Sequence, residues 1–196
     1  MWKYDNIHDN QIEWYKSVIE KNNEYNKFRM LASSDSNFSK NNIQLLNVPS
    51  TVFLHVPLTE YKTAWNEYVE NGYKDTADVK FNYGKAGESG KVVYPGLYDD
   101  NFFETMLELG STDTVFCGHD HLNNFSVNYK GIDLTYSYSV DYLAYVGISK
   151  LGSQRGCTML TVAENGEITY RAENYYREKY TSHFEKEEVT MQELGQ

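Results

Sequence analysis

Apolar residues recur at helical spacing from Asp9 onward, at Ile12, Tyr15, Val18 and Ile19, and predict an amphipathic helix running to about Phe28. Asp9 or Asn10 can cap its first turn. The stretch Ser33 to Asn42 is polar, short-chained and without periodicity, the composition of a solvated loop. Thr51 to Val56 is a β-branched and aromatic run stopped by Pro57, which cannot donate into a ladder, so His55 falls near a strand end. Thr59 opens a second helix to about Glu70. Asn71 to Gly96 has weak periodicity and predicts a long functional or mobile loop. A third helix follows over Asn101 to Leu109, with Gly110 as its stop, and then a short buried strand over Thr114 to Cys117. Four further strands are predicted, at Phe125 to Tyr129, Ile132 to Tyr138, Cys157 to Val162 and Ile168 to Tyr175. Asn128 to Gly131 and Glu164 to Glu167 read as hairpin turns. Residues from about 181 to 196 form a charged tail.

This order predicts α/β layers, with a mixed sheet flanked by helices and a site in the loops that follow the buried strands. The 196 residues contain no repeat, linker or low-complexity segment, which predicts a single unit over 1–196. No apolar run approaches the ~20 residues needed to span a bilayer, and the first residues lack a secretory pattern. No membrane role is therefore expected, and the expected location is the cytoplasm. A net charge of −10 without a basic patch argues against nucleic acid as a partner. Cys117 and Cys157 each sit in an apolar strand-like run and read as inert core thiols, with a disulfide as the alternative.

The chemistry lies in the histidines. His119 and His121 stand as Gly-His-Asp-His directly after a buried strand, where Gly118 permits a tight turn that points both imidazoles into one cleft. His55 ends another buried strand, and three neutral imidazoles suit a divalent transition metal. Taken alone, a histidine ending a strand is more often a hydrogen-bonded structural residue; the His-x-His pair is the more specific signal. His8, at a helix start, and His183, in the charged tail, read as structural or solvated.

Val52-Phe53-Leu54-His55-Val56-Pro57-Leu58-Thr59-Glu60-Tyr61 and Val115-Phe116-Cys117-Gly118-His119-Asp120-His121-Leu122-Asn123-Asn124 resemble two blocks of the calcineurin-like metallophosphoesterases, in particular the purple-acid-phosphatase-related phosphohydrolases. The similarity extends to Gln11-Ile12-Glu13-Trp14-Tyr15, to Gly87-Glu88 and to Tyr129-Lys130-Gly131-Ile132-Asp133-Leu134. The resemblance implies an αββα sandwich holding two divalent transition metals, Mn, Fe or Zn, and hydrolysis of a phosphate ester. It makes His55 and His119 ligands of one metal and His121 a ligand of the other. The family's Asp-x-His, Gly-Asp-x-x-Asp and Gly-Asn-His-(Asp/Glu) blocks, which precede the first helix, have no match in this chain. The resemblance therefore covers only the C-terminal half of the domain. Three neutral histidines divided between two ions cannot do two-metal hydrolysis without carboxylates, so the chain alone is expected to be inactive. Two partners follow: a missing N-terminal half that completes the site, or a second copy joined through exposed sheet edges in a non-catalytic metal- or partner-binding module.

Overall fold

The computed structural model describes residues 4–32, 47–140, 156–164 and 167–174. In chain order the elements are α1 (Asp9–Ala32), β1 (Ser50–Phe53), α2 (Thr59–Glu70), β2 (Val79–Tyr83), α3 (Phe102–Leu109), β3 (Thr112–Cys117), β4 (Ser126–Tyr129), β5 (Ile132–Tyr136), β6 (Gly156–Val162) and β7 (Ile168–Asn174). The polar stretch at Ser33–Asn42, the tail from 181 to 196, His183 and the Asn165-Gly166 turn lie outside the described residues.

Helix α1 extends past the expected end at Phe28, and only its first half is packed. Ile12, Tyr15 and Ile19 are buried, whereas Tyr25, Phe28 and Leu31 face outward. The start of α1 has one half of a capping box, with His8 in the cap position in place of the expected Asp9 or Asn10 and its ring turned back to Asp5. The Gln11 side chain accepts the His8 N–H at 2.8 Å, while the His8 carbonyl accepts from Ile12 N at 3.1 Å. Among the described residues, no helix is long and apolar enough to cross a membrane.

Five strands form one mixed sheet in the order β1-β3-β5-β4-β2. β3 is flanked by parallel partners, with Phe53 opposite Phe116 on one side and Phe116 opposite Thr135 on the other. β4 and β5 form an antiparallel hairpin whose turn residues Lys130 and Gly131 have φ of 50° and 98°, the left-handed pair that a two-residue hairpin turn requires. The expected long loop contains a strand, β2, pairing with β4 at the sheet edge with an irregularity between Phe81 and Tyr83. The Val-Lys-Phe-Asn-Tyr alternation, with its apolar positions turned inward and Lys80 and Asn82 exposed, is the period-2 pattern of a half-buried edge strand, a local signal that the expectation of a loop passed over.

The two faces of the sheet differ because side chains alternate along each strand. Val79, Val115, Cys117, Val127, Tyr129, Ile132, Leu134 and Tyr136 point to the helices and form the core with Tyr61, Trp65, Phe103 and Phe125. Tyr61 is fully buried; its hydroxyl donates to the Val115 carbonyl at 2.6 Å and accepts from Thr135 N at 3.2 Å, pinning α2 to the two central strands. Burial of such an aromatic stabilises by ~2–3 kcal/mol. The other face carries Ser126, Asp133 and Thr135. The Tyr170 hydroxyl of β7 reaches it, donating to Asp133 Oδ2 at 2.7 Å and lying 3.2 Å from Ser126 Oγ. The β6–β7 hairpin is thus a second, two-stranded sheet on the face away from the helices. Cys117 and Cys157 are not joined by a disulfide; Cys117 is buried in the large sheet, and Cys157, in the small one, is only half-buried, short of the core position expected for it.

Candidate metal centre

The parallel pairing of β1 with β3 brings two of the three candidate histidines together. The last ladder contacts are Leu54 N to the Phe116 carbonyl at 2.8 Å and Gly118 N to the His55 carbonyl at 3.1 Å, so both chains leave the sheet side by side. The His55 and His119 rings then meet edge to face with centroids 5.4 Å apart. His55 is exposed, while His119 and His121 are half-buried.

The turn differs from expectation in which residue bends. Asp120 N donates to the Gly118 carbonyl at 2.8 Å, and the residue between them, His119, has φ of 67°. This is the hydrogen bond of a γ-turn with a positive φ at its centre, the rare and strained form. A non-glycine residue held there costs about 1–2 kcal/mol, and such strain collects at functional positions. Gly118, expected to permit the turn, is not the strained position: its φ is not positive, and a Cβ there would meet His55 Nδ1 at 3.7 Å, an ordinary contact, so nothing at this position requires glycine.

Burial holds the His119 imidazole below its usual pKa. Asp120 opposes that effect, His55 and His121 reinforce it, and Glu88 also opposes it. A depressed value leaves the ring neutral at pH 7, the form that ligates metal. The edge of the Tyr4 ring packs against His119 with centroids 4.2 Å apart.

Asp120 sits between the two histidines in sequence but does not join them. Its Oδ2 accepts from the Tyr136 hydroxyl at 2.5 Å and from Tyr94 N at 3.1 Å, and the side chain is buried in the core. Asn123 and Asn124 continue the same work. Asn123 Oδ1 accepts from Gly87 N and Glu88 N at 3.0 and 3.2 Å, and Asn124 Oδ1 accepts from Lys85 N at 2.9 Å. The polar residues of the motif thus bind the 84–94 segment to the histidine turn. Sequence reading missed that role, although two asparagines after a buried strand are a signal for backbone capping.

Three imidazoles fit first-row transition metals by donor chemistry. His55 and His119 can contribute to one ion, and His121 leaves the turn two residues later. Among the described residues, the donor atoms that gather within 4.8 Å in a group of three belong to Glu60, Asp99 and Glu104, not to the histidines. That trio lies at the first turn of α2, before α3 and within α3.

No protein-family model matches the chain. It is similar to three proteins of Arabidopsis thaliana. It is 27% identical over 163 residues to "Probable inactive purple acid phosphatase 29", covering 83% of this chain and 34% of that protein. It is 26% identical over 144 residues to "Probable inactive purple acid phosphatase 14", covering 74% and 29%. It is 25% identical over 100 residues to "Probable inactive purple acid phosphatase 28", covering 51% and 21%. The chain spans about a third or less of the length of these relatives. Over most of its own length, then, the chain is similar to purple-acid-phosphatase-like proteins, which belong to the metallophosphoesterase superfamily.

Proposed function

We propose that this chain carries the imidazole part of a two-metal phosphoester hydrolase centre, with His55 and His119 directed to one divalent metal and His121 to the other. The observation that carries the reading is the adjacency of His55 and His119 at the ends of two parallel strands, rings 5.4 Å apart. The similarity to proteins named as probable inactive purple acid phosphatases supports the family resemblance on which this reading rests. When bound, the metals would polarise a phosphoryl oxygen and lower the pKa of bound water toward neutrality. The chain's own residues orient the imidazoles: His119 through its left-handed backbone, His55 through the ladder bond to Gly118. The carboxylate between the histidines is taken up by Tyr136 and Tyr94, so it faces the core as a hydrogen-bond acceptor and is not offered to the ions as a ligand. Hydrolysis of a phosphate ester therefore needs carboxylates from elsewhere, and the chain alone is expected to be inactive.

Equilibrium dialysis against Mn2+, Zn2+ and Co2+ with metal analysis tests the reading. Wild type should retain metal that a His119→Ala/His121→Ala double variant loses; equal retention by both refutes it. Hydrolysis of an aryl phosphate by the chain alone, abolished in the double variant, would overturn the claim that further carboxylates are required.

A second reading is a non-catalytic metal- or partner-binding module that dimerises through its sheet edge. It is favoured by β1, an edge strand of the sheet whose Phe53 is 67% exposed. Light scattering that gives a monomer at micromolar concentration counts against it.

A further inference from the structure

Two of the three charged side chains of the 84–94 segment face solvent: Lys85 and Lys91 are exposed, whereas Glu88 is only 7% exposed. A carboxylate is costly to bury unless a donor meets it. Glu88 Oε1 accepts the Leu122 N–H at 3.0 Å, the peptide that directly follows His121.

The segment is held so that this contact is fixed from both sides. Its own Glu88 N–H and that of Gly87 donate to Asn123 Oδ1, whose amide donates in turn to the Val92 carbonyl at 2.9 Å. Asn123 is 1% exposed, so it cannot exchange these partners for water. At one end Gly84, with φ of 89°, lies so close to Asn124 that an added Cβ would come within 2.2 Å of its carbonyl oxygen. At the other end Tyr94 N is tied to Asp120.

We propose that Glu88 is a positioning residue of the histidine centre, its buried carboxylate holding the His119–Leu122 turn in the conformation that presents both imidazoles. The proposal rests on the metal-binding reading above. Glu88 would act through the backbone of the turn, and the removal of outer groups that hold metal ligands in place commonly lowers metal affinity about 10–100-fold.

The test uses the full chain with Co2+ as the probe, comparing wild type, Glu88→Ala and Glu88→Gln by affinity, visible spectrum and Leu122 amide exchange. Glu88→Ala should bind Co2+ about 10–100-fold more weakly, with an altered spectrum. Its Leu122 amide should exchange faster than in wild type. Glu88→Gln, whose amide oxygen can accept the same N–H, should restore the spectrum and the protection. A lowered Tm in Glu88→Ala with unchanged Co2+ affinity and spectrum means a mere loop anchor and overturns the proposal. If Glu88→Ala does not fold, Glu88→Asp, which withdraws the oxygen by one carbon, gives the same comparison. A wild type that takes up no Co2+ sinks the metal reading alone. The imidazole NMR shifts then decide: shifts of His119 and His121 in Glu88→Ala that Glu88→Gln reverses support positioning, and unchanged shifts overturn it.

Discussion

Replacing Glu60 with Gln should make the protein more stable at alkaline pH and change little in acid. Glu60 lies in the first turn of α2 and is 8% exposed. Burial pushes its carboxyl up from 4.5 to about 7, with the charges of Glu104 and Asp99 adding to the rise. Its own backbone N–H and the Thr59 hydroxyl, which donates to Oε1 at 3.2 Å, oppose it. In the unfolded chain the group ionises near 4.5, so between that pH and about 7 the unfolded state releases a proton that the folded state keeps. Stability therefore falls as pH rises through that window and stays low above it. A rise of this size corresponds to about 3 kcal/mol at about 1.4 kcal/mol per tenfold, and solvent around the exposed Asp99 and Glu104 reduces this to about 2 kcal/mol. Glutamine keeps the shape and the acceptor for Thr59 but never ionises. Urea unfolding of both proteins at pH 4.5, 6 and 8 reads the difference directly, because the other titrating groups cancel between them. Near-equal stability at pH 4.5 and a gain of about 2 kcal/mol for the variant at pH 8 is the expected result. A difference that does not change with pH refutes the reasoning. The same variant is a control for metal assays, since Glu60 belongs to the acidic trio.

Three further outcomes follow from the geometry. Gly84→Ala places a Cβ against the Asn124 carbonyl at a φ of 89° and should destabilise by about 3 kcal/mol in chemical denaturation. His119→Gly should be about 1 kcal/mol more stable than His119→Ala by thermal unfolding, because only glycine relieves the left-handed backbone, while both lose metal retention equally. Tyr170→Phe removes the hydroxyl that donates to Asp133 and should cost about 1–2 kcal/mol by urea unfolding; no loss would mean that the hydroxyl bonds add nothing to the docking of β7 on the large sheet.

By itself, the sequence determined what depends on near neighbours. Helix α2 occurs at its expected bounds, the β4–β5 hairpin follows from the Asn128 to Gly131 turn, and the strand before His119 was visible as an apolar run. The mixed α/β character followed from the order of these elements. The candidate histidines stood out because each ends or follows an apolar strand-like run, which is a local signal. Tertiary structure decided everything that required knowing which segments lie side by side. Spacing along the chain does not say that β1 pairs with β3, and that pairing alone sets His55 beside His119. Nor does it say that Asp120 turns into the core toward Tyr136 instead of toward the cleft, since a carboxylate takes whichever donors packing delivers. Glu88 is the clearest case: more than thirty residues from Leu122 in sequence, it meets that peptide only because two asparagines accept backbone N–H groups from its loop. Local pattern specifies elements, and burial forces polar groups to find partners wherever the fold places them.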